Sequence, residues 1–287
     1  MVPAPLLVLT AAICTQTGQA FGKQLSGTIG AGGVVALRLG FAALLLLLWF
    51  RPKLPDRRHL PWILGLGTAI AGMNLVYPAM RYLPVGVAST LQLLGPLLVG
   101  LLGSRRPADL GAAVVAGAGV WLLNDPAGGP PHWPGLVLAL LSAVAMGSYL
   151  LLSRRVALLT GDTSGLVWGV AFAAVLGMPT GLLAQPVDWA PGVLPAGAAV
   201  ATITAVLPYT LEQSALRRIN AGTVGVLLSL EPAVAAVAGL LVLDEQLSAL
   251  RWLGLGCIST ATGWTAWTAI SSRSRRARVP AEPPANA

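Results

Sequence analysis

The chain has 287 residues, of which 55% are hydrophobic and only 10% are charged, and its formal net charge is +8. Soluble domains carry about 25% charged residues, so the composition excludes an ordinary soluble protein and indicates one that lies in a lipid bilayer. The basic residues form short clusters between apolar segments, which is typical of membrane-protein loops and gives no indication of a nucleic-acid partner.

Ten apolar segments are long enough to cross a bilayer, since about 20 helical residues span ~30 Å of hydrocarbon. In chain order they are 4–24, 29–50, 62–80, 85–103, 108–123, 135–153, 164–184, 192–214, 221–243 and 249–270. Proline and glycine in the linker 124–134 exclude regular structure and separate two groups of five segments. We therefore predict an all-α membrane protein with a first repeat at 1–123, a second repeat at 135–271 and a basic tail at 272–287.

The basic residues also predict the orientation. With the N-terminus inside, fourteen of the eighteen Lys and Arg residues fall in cytoplasmic loops or the tail, and three fall on the other side. Cytoplasmic loops carry the excess of Lys and Arg, so both termini are predicted to be cytoplasmic.

The two halves resemble each other in sequence. At an offset of 136 residues, Arg81, Gly86 and Pro96 align with Arg217, Gly222 and Pro232. Five helices per half is an odd number, so the second copy must enter from the opposite face of the membrane. The pattern therefore predicts two inverted five-helix repeats, an architecture found in many secondary transporters.

Charged residues within the apolar segments are the first candidates for a functional site. A charge in the middle of a membrane costs roughly 2.5–3.5 kcal/mol on insertion scales. Glu212 and Glu231 are the acidic residues inside such segments, apart from Asp109 at the very start of the fifth. Glu231 is expected near the midplane, in a functional role rather than a purely structural hydrogen bond. Glu212 either has a similar role or reaches interfacial water or the basic turn after its helix. Arg38 is either a structural counter-ion or a ligand for a substrate carboxylate.

Uncharged polar residues and prolines give weaker signals. Groups of this kind either line a pathway or form interhelical hydrogen bonds; they are Asn74, Tyr77, Gln92, Gln16 and Gln19. Pro96 and Pro232 are expected to kink their helices, either passively or so that freed carbonyls face a cavity. Lys23, near the end of its segment, is expected to extend its ammonium to the lipid–water interface.

No histidine falls within a span, since His59 and His132 lie in loops. A membrane-embedded enzyme needs a cluster of metal ligands or a nucleophile with its base. The sequence therefore favours a transporter over an enzyme and predicts no metal and no cofactor.

Two motifs resemble a known family. Pro208–Tyr209–Thr210–Leu211–Glu212 and Ser229–Leu230–Glu231–Pro232 resemble EamA domains of the drug/metabolite transporter superfamily, of the threonine and homoserine exporter type. The resemblance implies ten helices in two inverted bundles in the bacterial cytoplasmic (inner) membrane, and efflux of small metabolites driven by an ion gradient such as protons. Drug or other metabolite efflux is the alternative that the superfamily leaves open.

The resemblance also suggests roles for the candidate residues. A small neutral amino acid carries one ammonium and one carboxylate, and its binding site needs a partner for each because an unpaired charge in a dry cavity is costly. Glu231 would face the ammonium or exchange its proton against it, and Arg38 would face the carboxylate, aided by Gln92, Asn74 and Tyr209. The expected partners are the substrate and the bilayer, with a homodimer left open.

Overall fold

The computed structural model describes residues 3–102, 107–123, 132–183, 190–216 and 227–277. Within these ranges the chain is helical and contains no β-strand. Its α-helices, numbered in chain order, are α1 (Ala4–Phe50), α2 (Leu60–Met73), α3 (Val76–Ala79), α4 (Val85–Gln92), α5 (Leu94–Leu102), α6 (Pro107–Leu123), α7 (Trp133–Thr160), α8 (Ser164–Leu183), α9 (Val193–Ala201), α10 (Leu207–Leu216), α11 (Glu231–Leu243) and α12 (Ala249–Ala277). A 3₁₀-helix at Arg57–His59 precedes α2, and a π-helix at Thr202–Val206 joins α9 to α10.

Helix α1 contains a sharp break at Gly30, where φ is 72° and ψ is 159°. Glycine tolerates this positive φ because it has no Cβ. An unbroken helix of 47 residues would be about 70 Å long, more than twice the ~30 Å of the hydrocarbon core. The break falls at the start of the second predicted segment, 29–50, and the first stretch runs on to this break, beyond the predicted end at residue 24.

The chain is a helical membrane protein. Three helical stretches in the described part are long and apolar enough to cross a bilayer, and they are Ala4–Phe50, Arg57–Ala79 and Trp133–Thr160. Five shorter apolar helices lie inside predicted segments, and they are Val85–Val99, Leu110–Leu123, Ser164–Pro179, Val193–Val206 and Glu231–Leu243. Two helices run past the predicted segment ends, since α7 continues to Thr160 and α12 to Ala277. Hydropathy marks where the apolar stretch ends, and a helix continues beyond that point.

Four of the predicted segments are interrupted. Segment 62–80 breaks between α2 and α3, and segment 85–103 breaks at Leu93 between α4 and α5. Segment 192–214 contains the π-helix, and in segment 221–243 a turn at 229–230 precedes α11. Pro96 and Pro232 lie in the first turn of α5 and α11, where the missing proline N–H is tolerated. Both prolines thus stand beside a break, and their influence on a transport pathway stays a prediction.

The helices of the two halves pack against each other rather than forming separate bundles. Helix α1 packs on α8, α9, α10 and α11, and α2 packs on α7 and α8. Helix α4 packs on α11, α5 on α7, and α6 on α12. One continuous apolar core therefore runs through both halves, and any site between these helices is built from both.

The structure corrects the expectation for Lys23. Its Nζ lies 2.5 Å from Oε1 of Glu245 and donates a hydrogen bond of 2.9 Å to the carbonyl of Leu83. The other carboxylate oxygen of Glu245 accepts from the backbone N–H of Val85 at 2.8 Å. The ammonium is thus held by a carboxylate 222 residues away in the chain, a partner that the sequence did not predict. The pair joins the first stretch of α1 to the start of α4 and the turn after α11.

A double-mutant cycle should detect this ion pair. We expect Lys23→Met and Glu245→Gln each to lower the thermal stability of the detergent-purified protein, with a coupling free energy of about 1–3 kcal/mol. The reason is that both side chains are largely buried, at 22% and 14% exposure, so removal of one leaves the other charge without its partner. The pair Arg58–Asp56, at 78% and 48% exposure, is the control and should couple by roughly 0.5 kcal/mol or less. Equal coupling in the two cycles would contradict a structural role for Lys23.

Candidate functional site

A cavity of about 80 Å³ with several polar side chains on its wall lies between the helices. One water molecule needs roughly 10–15 Å³ of cavity volume, so the cavity has room for several waters or a small solute. The polar side chains on its wall include Gln16, Gln19, Arg38, Asn74, Tyr77, Gln92, Thr204 and Glu231. They come from both halves of the chain, because the cavity is lined by α1, α2, α3, α4, α7, the π-helix, α10 and α11.

The cavity brings together five of the seven residues that the sequence suggested for a substrate or proton pathway. They are Arg38, Asn74, Tyr77, Gln92 and Glu231. The other two, Tyr209 and Glu212, lie on α10, and their side chains fall outside the described part of the structure. From the same motif, Pro208 lines the cavity. The roles of all seven stay predictions.

Arg38 is fixed by hydrogen bonds on two sides. Its Nε donates to the hydroxyl of Thr204 at 2.7 Å, and its Nη2 donates to the carbonyl of the same residue at 3.2 Å. Its Nη1 donates to Oδ1 of Asn74 at 2.6 Å, and the guanidinium carbon lies 5.8 Å from the ring centre of Tyr77. Within the described residues the guanidinium donates to no carboxylate. These contacts orient the guanidinium, and whether Arg38 is a structural counter-ion or a ligand for a substrate carboxylate stays a prediction.

Asn74 and Gln92 each stand at a helix break. Asn74 is the first residue after α2, and its Nδ2 donates to the carbonyl of Ile70 at 2.7 Å. Gln92 is the last residue of α4, and its Nε2 donates to the carbonyl of Met73 at 2.8 Å. The hydroxyl of Ser142 on α7 donates to the same Met73 carbonyl at 2.7 Å. The amide and hydroxyl therefore satisfy a carbonyl at the end of α2, as an interrupted helix inside a membrane requires.

Glu231 is the first residue of α11, and only 8% of it is exposed. The N–H groups at the start of a helix have no intrahelical acceptor and carry a partial positive charge. A carboxylate at this position is stabilised by them, which explains how an acidic residue is tolerated so deep in an apolar bundle. The sequence predicted a continuous helix over 221–243, and the start of α11 at Glu231 is a local correction.

Two residues that bond to the predicted site were missed. Thr204 lies in the π-helix, accepts from Arg38 and donates to the carbonyl of Val200 at 2.7 Å. Ser142 accepts from Nε2 of Gln92 at 2.5 Å. Serine and threonine hydroxyls are common in membrane helices, so the sequence offers no distinctive signal for either. Thr204 also packs against Gly18, where an added Cβ would overlap its methyl group.

The arrangement suits recognition of a small polar molecule. One guanidinium and one carboxylate line the same small cavity, together with amide and hydroxyl groups. Within the described residues, no three His, Cys, Asp or Glu side chains come together as metal ligands do. The groups on the wall can donate and accept hydrogen bonds and carry charges of both signs, and proton exchange by Glu231 stays a prediction.

Comparison of the sequence with known proteins identifies its family. The EamA-like transporter family matches residues 2–124 and 133–267. Two relatives are the "Threonine/homoserine exporter RhtA" of Escherichia coli (strain K12), 36% identical over 266 residues, and that of Salmonella typhimurium (strain SL1344), 37% identical over 266 residues. Each alignment covers 90% of this chain and 90% of the relative.

One solved crystal structure superposes with a TM-score of 0.65, covering 94% of this chain and 98% of that chain. Its sequence identity is 21%, so this likeness bears on the fold alone. The family match spans both halves of the chain, and the relatives at more than a third identity are exporters. The chain therefore belongs to the EamA-like transporter family and is an exporter of small metabolites in a membrane.

Proposed function

We propose that this protein exports small neutral amino acids such as threonine and homoserine from the cytoplasm in exchange for protons. The related exporters from Escherichia coli and Salmonella typhimurium are named for these two amino acids. Both molecules are zwitterions at neutral pH, so a binding site for them needs a cation and an anion together. Arg38 and Glu231 provide this combination on one cavity wall.

The observation that carries the proposal is the position of the polar groups at interruptions of the helices. Asn74 follows the end of α2, Gln92 ends α4, and Glu231 begins α11. Thr204 lies in the π-helix, a distortion that often occurs at functional sites. Interrupted helices at the midplane are where secondary transporters bind substrate and coupling ion. A passive structural role would not require four interruptions around one cavity.

The size of the cavity favours a small metabolite over a drug. Sites for drug-sized ligands measure about 300–1,000 Å³ and are mostly apolar. This cavity measures about 80 Å³ and has a cation and an anion on its wall. Drug efflux remains the alternative, and it would require a much larger and less polar cavity in another conformation.

We also propose the architecture and orientation that the sequence predicts. Ten helices form two inverted five-helix repeats in the bacterial cytoplasmic membrane, with both termini in the cytoplasm. The excess of Lys and Arg in the loops assigned to the inside supports this orientation. The break at Gly30 supports a division of α1 into two spans. Association into a homodimer stays a prediction.

Cysteine labelling tests the orientation. A cysteine in place of Gly129, in the linker between the halves, is expected to react with a membrane-impermeant thiol reagent in intact cells. The background should lack Cys14 and Cys257, the two native cysteines. The predicted topology places this linker outside, so labelling should not require lysis. Labelling only after lysis would contradict the topology.

Amino-acid tolerance tests the function. The wild-type protein, expressed in a strain that is sensitive to added homoserine or threonine, should raise the tolerated concentration of both and increase their efflux from preloaded cells. A panel of hydrophobic drugs serves as the comparison. Resistance to the drugs without amino-acid efflux would favour the alternative, and resistance to neither would point to another metabolite.

A further inference from the structure

One amide oxygen on the cavity wall has no hydrogen-bond partner among the described residues. Gln16 lies on the first stretch of α1, is only 2% exposed and lines the cavity. Its Oε1 is buried and accepts no hydrogen bond from the part of the chain that the structure describes. The amide one turn further along is different, because Oε1 of Gln19 accepts from the hydroxyl of Ser89 at 3.0 Å.

A buried acceptor without a donor costs free energy, and nearly all buried polar groups in proteins are paired. The cost at Gln16 disappears if a ligand in the cavity donates a hydrogen bond to Oε1. A carbonyl-type oxygen only accepts, so the ligand must present an N–H or O–H group at this point. A carboxylate or an apolar group of the ligand would leave this oxygen without a hydrogen-bond donor.

The proposed substrates carry two kinds of donor, an ammonium and a hydroxyl. Under the proposed function, the ammonium faces the carboxylate of Glu231, because a charged acceptor makes a stronger hydrogen bond than the neutral amide oxygen of Gln16 does. We propose that Gln16 accepts the hydrogen bond of the substrate's side-chain hydroxyl, so that the exporter selects hydroxylated small amino acids. This inference rests on the proposed function and adds the group that determines specificity.

An acceptor dedicated to a hydroxyl discriminates by leaving itself unpaired with the wrong substrate. A site built to hydrogen-bond a hydroxyl rejects the analogue that lacks it far more strongly than a hydrophobic pocket rejects a change of one methylene. L-2-Aminobutyrate is the matched analogue here, since removal of the hydroxyl from either threonine or homoserine gives this compound. It keeps the ammonium and carboxylate that Glu231 and Arg38 would bind.

Transport by the purified full-length protein in liposomes, with an imposed pH gradient, measures this discrimination. The wild type should transport homoserine with a kcat/KM roughly 5- to 100-fold above that for L-2-aminobutyrate. In Gln16→Met, which is similar in length and cannot accept from the hydroxyl as an amide does, the ratio should fall to about 1. The loss should come from homoserine, while L-2-aminobutyrate transport persists.

Two further variants separate recognition from structure. Gln16→Glu keeps an acceptor oxygen in the same shape and should keep a preference for homoserine. Gln24→Met makes the same chemical change at an exposed position of α1 that does not line the cavity, and it should leave the ratio unchanged. If Gln16→Met does not fold, as judged by size-exclusion chromatography, the ratios measured for the wild type and for Gln16→Glu still test whether Gln16 selects the hydroxyl.

A wild-type ratio near 1, or an unchanged ratio in Gln16→Met, would overturn the role of Gln16 while leaving amino-acid export intact. Loss of the preference in Gln24→Met as complete as in Gln16→Met would overturn it as well. No transport of homoserine or threonine by the wild type would instead remove the proposed function itself.

Discussion

Replacement of Glu231 by glutamine is expected to abolish proton-driven export, down to the level of cells without the protein. Glutamine keeps the shape and hydrogen-bonding capacity of the side chain but cannot bind and release a proton. Glu231 supplies the one carboxylate on the described wall of the cavity. It lies at the start of α11, where the N–H groups of the first turn stabilise a negative charge. The protein itself should remain folded and inserted, since the substitution conserves volume.

The measurement combines net export with exchange. Glu231→Gln liposomes should show no homoserine movement driven by a pH gradient. If the carboxylate only carries the proton, exchange of labelled for unlabelled homoserine should survive, and if it also binds the ammonium, exchange should be lost too. Glu231→Asp, which keeps a titratable group, is the matched control and should retain part of the activity. Full gradient-driven export by Glu231→Gln would remove this residue from the mechanism.

Replacement of Arg38 by glutamine is expected to abolish homoserine and threonine resistance. Arg38 is the cation on the described cavity wall, and its guanidinium is oriented by Thr204 and Asn74 at 2.7 and 2.6 Å. Such orientation prepares it to bind a substrate carboxylate without rearrangement. Arg38→Lys keeps the charge but not the planar set of donors, so it should retain only a small part of the resistance.

Thr204→Val is the control for a structural role of Arg38. It removes the hydroxyl that accepts from Nε and leaves the guanidinium charge in place. A substrate-binding role predicts that Thr204→Val weakens apparent affinity and that Arg38→Gln eliminates transport, at comparable thermal stability. Resistance that survives in Arg38→Gln would rule out the carboxylate role. Equal loss of stability and export in both variants would indicate that Arg38 is structural.

Much of the site was predictable because charge in lipid is rare. Arg38 and Glu231 were identified from their positions in apolar segments alone, and the structure places both on one cavity wall. Asn74 and Gln92 were weaker candidates, since polar amides in membrane helices usually bond to a neighbouring helix. Both do so in the structure, and both also line the cavity. The sequence thus predicted the residue types better than their arrangement.

The helix interruptions were not predictable from hydropathy. The segment that contains Asn74 is apolar on either side, so its hydropathy does not mark the end of α2 at Met73, although Pro78 cannot donate to the carbonyl of Asn74. Pro96 and Pro232 indicated two of the interruptions, because proline disrupts a continuous helix. The π-helix around Thr204 is followed by Pro208, which has no N–H to donate to the carbonyl of Thr204. The pairing of Lys23 with Glu245 depends on packing between distant parts of the chain, which periodicity does not encode.

The most direct test of the account measures homoserine and proton movement together. Liposomes containing the purified protein are loaded with a pH-sensitive dye, and a pH gradient is imposed across the membrane. We expect labelled homoserine to move against its own gradient, with protons moving in the opposite direction, and both fluxes to stop on addition of a protonophore or in Glu231→Gln. Homoserine movement that is unchanged by the protonophore, with no associated proton flux, would contradict proton-coupled export.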